Sequence, residues 1–418
     1  MQETGTLTVA DVQAARERLA GWARHTPVLP SSALSRVAGG PVFLKAEVLQ
    51  RTGSFKVRGA GNMLTALPRD ALRGGVIAAS AGNHAQGVAV AAARVGVPCT
   101  VVMPVTATLA KVEATRSYGA RVIQAGHSYQ EAAAQAETLA AERGLLAVPA
   151  YDHPLVIAGQ GTLGLELVDD LPDAELVVVP VGGGGLAAGI ALAVHARRPQ
   201  ARIVGVQASA APAAAISFRE RSRTRVEPAQ TIADGIAVSE PGSLTLPILL
   251  DHLDDIYTVD EETITQAMVF LLERSKLVTE GAGAAGAALL LSGRIALDGR
   301  KAAVVLSGGN VDVNLLDRVV QYGLAHAGRY LIVRIAMDDR PGQLAAVLGI
   351  IAAAGANVLD VDHRRTGSQL TFGRVAVELL LETRNAEHAA EVVKALEEAG
   401  FPEQPGPPRL ARSFAPAD

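Results

Sequence analysis

A lysine does base or nucleophile chemistry only when it is neutral part of the time. That requires a dry, tight setting rather than a solvated surface. Lys56 lies in Gly53-Ser54-Phe55-Lys56-Val57-Arg58-Gly59-Ala60, after a Gly-Ser pair and an aromatic ring and before two small residues. Small neighbours let a bulky planar cofactor approach the backbone. Taken alone, the run also reads as a surface lysine after a turn. Its companions elsewhere in the chain decide between the two.

The run Gly182-Gly183-Gly184-Gly185 stands between an apolar stretch at 176–181 and a helical pattern at 186–196. Without side chains, its N–H groups can converge on an anion, and the helix start adds favourable potential. Phosphate is the natural occupant. The Lys-Ser/Thr of a nucleotide loop is missing, and Gly184 with Gly189 fits a dinucleotide spacing only weakly. A tight structural turn is the alternative.

Ser80-Ala81-Gly82-Asn83-His84-Ala85-Gln86-Gly87 is a second strand-to-helix turn. Its hydroxyl, amide and free N–H groups could hold a carboxylate, although a plain helix cap would look alike. His84 in isolation reads as structural. Ser307-Gly308-Gly309-Asn310 ends an apolar strand at 302–306 and could present Ser307 to a cleft, or merely turn.

The elements that would position these groups alternate between 42 and 324. Strands are expected at 75–79, 99–103, 121–124, 176–181, 202–207 and 302–306, and helices at 84–95, 108–118, 129–142 and 186–196. This succession predicts a doubly wound parallel α/β architecture in two lobes with a ligand cleft between them. Near 328 the pattern changes to strand 329–337, helix 343–354, strands 357–363 and 371–381, and helix 386–399, most of a ferredoxin-like α+β unit. Pro402, Pro405, Pro407 and Pro408 argue against a last strand, and 411–418 reads as a tail.

Bulk properties narrow the options. Hydrophobic residues make up 49% of the 418 and aromatics 3%, so the core is aliphatic, which suits helices on parallel strands. A net charge of −4 gives no electrostatic case for nucleic acid or an anionic membrane. Cys99 is the one cysteine, so no internal disulfide or multi-cysteine metal site can form, and its apolar setting suggests a buried strand thiol. No signal peptide or convincing membrane span is evident, and a cytoplasmic protein is expected.

The ordered set of motifs resembles the threonine dehydratase branch of the tryptophan synthase β-like, fold type II pyridoxal-phosphate enzymes. Met103-Pro104, Lys111, Ala114-Thr115-Arg116, Gly119-Ala120, Ala233-Asp234-Gly235-Ile236-Ala237-Val238 and Thr279-Glu280-Gly281-Ala282-Gly283 carry it further. Residues from 329 resemble an ACT regulatory domain through Asp339-Arg340-Pro341-Gly342 and Gly355-Ala356-Asn357-Val358. The resemblance implies a catalytic domain at 1–326, with a small lobe of roughly 50–155 inserted in the large one, and an ACT domain at 327–410.

It also implies roles. Lys56 would carry pyridoxal 5′-phosphate as a Schiff base and remove the α-proton. Phe55 would lie against the ring and Asn83 would contact its 3′-oxygen. Gly182, Gly183, Gly184, Gly185 and the Leu186 amide would cradle the phosphate, and Ser307 would meet the pyridine nitrogen. Ser80, Ala81, Gly82, Asn83 and His84 would surround the substrate carboxylate. The reaction implied is loss of water from threonine or serine, giving a 2-oxoacid and ammonia.

In serine racemase, a relative, a serine at the Ala81 position supplies a second acid/base, so racemisation is disfavoured here. Gln207 and Ala213 stand where some relatives hold a divalent ion through acidic residues, so no metal held by side chains is expected, and a monovalent cation on backbone carbonyls stays open. Asp339, Pro341, Gly342 and Asn357 would line a regulatory site shared between paired domains, with isoleucine or valine as effector and a homodimer or homotetramer as the assembly. A lyase acting on another substituted amino acid, or an inactive amino-acid sensor, are the competing readings.

Overall fold

In the computed structural model, residues 7–326, 328–364 and 373–403 are described. The expected tail at 411–418 and the start of the strand placed at 371 lie outside them. Contacts divide the chain into units at 1–312 and 313–418, so the helix Val313–His326 groups with the second unit rather than the first.

The strands of the first unit are β1 (Val28–Pro30), β2 (Val42–Ala46), β3 (Val76–Ala79), β4 (Cys99–Met103), β5 (Arg121–Gln124), β6 (Leu146–Ala147), β7 (Leu176–Pro180), β8 (Arg202–Ala208), β9 (Asp255–Val259) and β10 (Ala302–Leu306). Among the described residues they form two sheets, β1-β2-β10-β7-β8-β9 and β5-β4-β3-β6. Every pairing is parallel except β1 with β2. The chain leaves the large sheet after β2, builds the whole small sheet, and returns at β7. The strands β1, β2, β6 and β9 were not foreseen; β1 and β6, three and two residues long, are too short to show a period.

Parallel sheets need cover on both faces, and the helices supply it. The helix Pro154–Asp170 is buried over nearly its whole length against the helix Gly185–His195. Gly161 and Gly189 make that approach possible, because a Cβ on Gly189 would fall 2.5 Å from Gly161 N. The Ala/Gly-rich run Gly281–Leu291 is likewise a buried helix. Among the described residues no helix is long and apolar enough to cross a membrane. Cys99 is buried at the start of β4, and burial pushes its thiol up to about 12, which removes it as a nucleophile.

The second unit contains β11 (Tyr330–Asp338), β12 (Asn357–Arg364) and β13 (Arg374–Glu382), an antiparallel sheet in the order β11-β13-β12. Helices Gln343–Ala353 and Ala386–Glu398 bury Val347, Ile351, Val392 and Leu396 against it. A single antiparallel bridge joins Glu403 to Ile335 on the free edge of β11. The proline-crowded segment therefore begins to pair at that edge, and Pro405, Pro407 and Pro408 lie outside the described residues.

Candidate active site

Lys56 is the first residue of the helix Lys56–Ala66, and four contacts place it. Ser54 forms an antiparallel bridge with Gly308, and the Phe55 N–H donates to Ser307 O at 3.1 Å, so the lysine is tied to the end of β10. The helix Asn83–Val95 meets it through Gly87, where a Cβ would fall 3.0 Å from the Lys56 carbonyl carbon. Lys56 Nζ donates to Ala150 O at 2.9 Å.

Two residues on, buried Arg58 anchors the same helix. It pairs with Glu47 at 2.8 Å and Glu166 at 2.6 Å, and Lys45 joins Glu166 from the other side at 2.8 Å. A buried charge is tolerated only when its partners are fixed, so this cluster holds the register of the Lys56 helix.

Burial lowers the Lys56 amine from its ordinary 10.5 to about 8, partly offset by Glu280. Phe55 is half-buried, with its ring centroid 5.2 Å from Nζ. His84 is buried and donates from Nε2 to Val148 O at 2.8 Å. Burial, reinforced by Lys56, lowers it to about 3, so the ring stays neutral. Its Nε2 is committed to the backbone, and its main-chain N–H at the helix start remains to meet an anion.

The glycine run turns from β7 into the helix Gly185–His195 through Gly184 at φ 95°, a left-handed conformation that disfavours side chains. Among the described residues, the N–H groups of Gly182, Gly183, Gly184, Gly185 and Leu186 donate to nothing. The run is held from behind: Gly183 O accepts from Thr245 Oγ1 at 2.6 Å and from Gly242 N at 3.1 Å. The Tyr151 ring packs so closely that a Cβ on Gly183 would lie 2.4 Å from it. Asp152 caps the Ser243-Leu244-Thr245 turn, accepting from all three N–H groups between 2.8 and 3.2 Å. Ala150, Tyr151 and Asp152 thus link the lysine to the phosphate-sized nest.

The second turn is built similarly. Ser80 Oγ accepts from Gly82 N at 3.1 Å, and the N–H groups of Ala81, Asn83 and His84 donate to nothing among the described residues. A Cβ on Gly82 would meet nothing within 4 Å, so the loop opens to space. Ser307 is buried, and its hydroxyl makes no hydrogen bond among the described residues. The buried Ser54 hydroxyl is also without a partner.

A partnerless amide nest, a lysine that readily loses its proton, a free buried hydroxyl and a half-buried ring fit a planar aldehyde with an anionic tail. The residues therefore fit pyridoxal phosphate. Gln207, at a position of possible metal ligation in relatives, instead accepts from Ala215 N at 3.0 Å through Oε1.

Sequence reasoning assigned nothing to Tyr151, Asp152, Asn310 or Glu280. Glu280 and Asn310 fell within quoted motifs but carried no role. For Tyr151 and Asp152 there was no signal, because their partners lie over 30 positions away.

The structure does not bring the four regulatory candidates together within one copy. Asp339 and Pro341 line a cavity of about 150 Å³ with Arg340, Leu344 and His363, and Gly342 at φ 92° caps the following helix. Asn357 begins β12 opposite Glu382, which also pairs with Tyr330 at the start of β11. Asp338, beside the turn, pairs with Arg374 at the other end of β13. Those ends are about 27 Å apart along the strand.

The family model for pyridoxal-phosphate dependent enzymes matches residues 19–308, and that for the ACT domain matches 331–400. The chain is 45% identical over 395 residues to an L-threonine ammonia-lyase of Thermotoga maritima, covering 94% of this chain and 98% of that one. It is 48% identical over 390 residues to an L-threonine ammonia-lyase of Geobacter sulfurreducens, covering 93% and 97%. The solved structure of maize serine racemase superposes with a TM-score of 0.72 at 33% identity, covering 77% of this chain and 99% of that one. Likeness that runs through both units and nearly the full length of two lyases means that the chain belongs to the fold type II pyridoxal-phosphate-dependent enzymes, in the threonine ammonia-lyase family with a C-terminal ACT domain.

Proposed function

We propose that the chain eliminates water from L-threonine, and from L-serine, giving 2-oxobutyrate or pyruvate and ammonia, as the first step toward isoleucine. The observation that carries this reading is the link that Ala150 and Tyr151 make between the Lys56 amine, lowered to about 8, and the partnerless amides of the glycine run.

When bound, pyridoxal phosphate supplies an electron sink for the substrate α-carbon. The Gly182, Gly183, Gly184, Gly185 and Leu186 amides hold its phosphate, and Ser307 its ring nitrogen. A hydroxyl there would leave that nitrogen largely neutral, where a carboxylate would keep it protonated. Phe55 would lie against the ring. The Ser80 hydroxyl and the Ala81, Asn83 and His84 amides take the substrate carboxylate, and Gly82 leaves room for it. Lys56 takes the α-proton at Nζ, held to the Ala150 carbonyl at 2.9 Å. With a pKa near 8, about a tenth of the free amine is neutral at pH 7 and half at pH 8.

Racemisation is the second reading, prompted by the likeness to maize serine racemase. It needs a second proton carrier, and the Ala81 methyl carries none.

We place the catalytic domain at 1–326 and the ACT domain at 327–410, in a cytoplasmic homodimer or homotetramer. Because Asn357 lies at the far end of the sheet from Asp339, Pro341 and Gly342, an effector site that uses all four takes Asn357 from a second copy. A branched aliphatic amino acid such as isoleucine or valine suits the cavity, where Arg340 can meet a carboxylate and Leu344 and Val375 an alkyl group.

The test is 2-oxoacid release from a panel of L-amino acids, with and without millimolar isoleucine or valine, alongside borohydride trapping and peptide mapping. Turnover of threonine and a label on Lys56 are expected. A label elsewhere, or no 2-oxobutyrate from threonine, refutes the catalytic reading. Indifference of activity and assembly to both effectors refutes the regulatory one.

A further inference from the structure

Glu280 is a buried carboxyl to which the proposed reaction gives no task. It precedes the helix Gly281–Leu291, and its Oε1 accepts from Asn83 Nδ2 at 2.6 Å. Asn83 Oδ1 accepts in turn from Asn310 Nδ2 at 2.7 Å, and Asn310 Nδ2 also donates to Thr52 O at 2.6 Å. The slot is made for the carboxylate: a Cβ on Gly308 would fall 2.3 Å from Oε1, and one on Gly235 3.6 Å from it.

An unconstrained asparagine amide can turn over and exchange its oxygen for its nitrogen. Here an acceptor grips the nitrogen and a donor grips the oxygen. One Nδ2 hydrogen is used by Glu280 and the other remains. We propose that Glu280 is a positioning residue: through Oε1 it sets the Asn83 amide so that the remaining Nδ2 hydrogen faces the ring oxygen of the cofactor. The inference rests on the contact between Asn83 and the cofactor 3′-oxygen.

The electrostatics agree. Burial, and then Asp234, push the Glu280 carboxyl up to about 7, opposed by the Asn83 hydrogen bond and by Lys111 and Lys56. Lys111 and Asp234 are themselves paired at 2.9 Å. Near pH 7 the carboxyl is ionised in about half the molecules, and above it in most, and either form offers Asn83 an acceptor oxygen.

The experiment titrates pyridoxal phosphate into apoprotein and follows the near-visible band of the unreacted holoprotein against pH. Glu280→Leu should weaken cofactor binding about tenfold, as should Asn83→Ala, and move the pH midpoint of the band. The double variant should be no weaker than either single one, because both remove the same contact. Glu280→Gln keeps an acceptor oxygen and should restore binding to within about threefold of wild type.

Losses that multiply in the double variant, or wild-type affinity and band in Glu280→Leu, overturn the proposal. If Glu280→Leu does not fold, Glu280→Asp decides, since it keeps the charge and withdraws the oxygen by one methylene. Wild-type affinity and an unmoved band there overturn it equally. These readouts do not depend on which amino acid is consumed. Wild-type protein that binds the cofactor yet releases nothing from threonine would sink the proposed function and leave this inference standing.

Discussion

Replacing Gly183 with alanine tests whether the glycine run is rigid from behind. Gly183 does not adopt the left-handed conformation of Gly184, so the effect of a methyl there is steric. The added Cβ would lie 2.4 Å from three Tyr151 ring atoms, where an ordinary contact begins at 3.4 Å, so something must retreat by about 1 Å. The ring has little freedom to do so. Its backbone is wedged against Gly185, whose Cβ would fall 2.9 Å from Tyr151 O, and its hydroxyl donates to Glu240 O at 3.4 Å.

Overpacking of this kind costs about 1–3 kcal/mol. If the loop absorbs it by displacing its amides, cofactor affinity falls by roughly 5- to 150-fold. Titrating pyridoxal phosphate into apoprotein measures this, with thermal melting to register how much strain the unliganded fold carries. Tyr151→Ala combined with Gly183→Ala should recover most of the loss, since it removes the group struck. Wild-type affinity and melting in the single variant would show that the loop yields freely. A double variant no better than the single would show that Tyr151 is not the obstacle.

Two further outcomes rest on the electrostatics. Lys56 titrates near 8 in the folded apoprotein and near 10.5 when unfolded, so between those values the unfolded chain binds more protons and stability rises with pH. Denaturant melts across pH 8–10.5 should show that rise, and Lys56→Met should flatten it; equal slopes would contradict the burial assigned to the amine. His84, lowered to about 3, should contribute no protonation step to the activity profile between pH 5 and 9. His84→Leu, which leaves the Val148 carbonyl unpaired, should cost about 1–3 kcal/mol in melting, whereas His84→Gln should retain most of it; a titration lost in His84→Gln would assign the ring a proton-transfer role.

Sequence alone set the local grammar of this chain. Apolar strands running into glycine or Ser-Gly turns and then into helices were legible because strand and helix periods and backbone N–H chemistry are properties of neighbouring residues. The strand 99–103 and the helix starting at Gln343 fell where that pattern put them. The motifs also placed Lys56, the glycine run and the Ser80 turn, since each is a contiguous signature.

Tertiary structure decided how those pieces face one another. The Ser54–Gly308 bridge brings together segments more than 250 positions apart, and Gly87 has meaning only because Lys56 lies against it. The resemblance put His84 beside the substrate carboxylate, and in the fold its ring bonds to Val148 O, while Glu280 became a partner of Asn83. The separation of Asn357 from the Asp339 turn arises from antiparallel register in the same way. Desolvation and long-range hydrogen bonds arise only after the chain has closed on itself. For that reason the pattern of residues could name a reactive lysine, and only the packed molecule could lower its proton affinity.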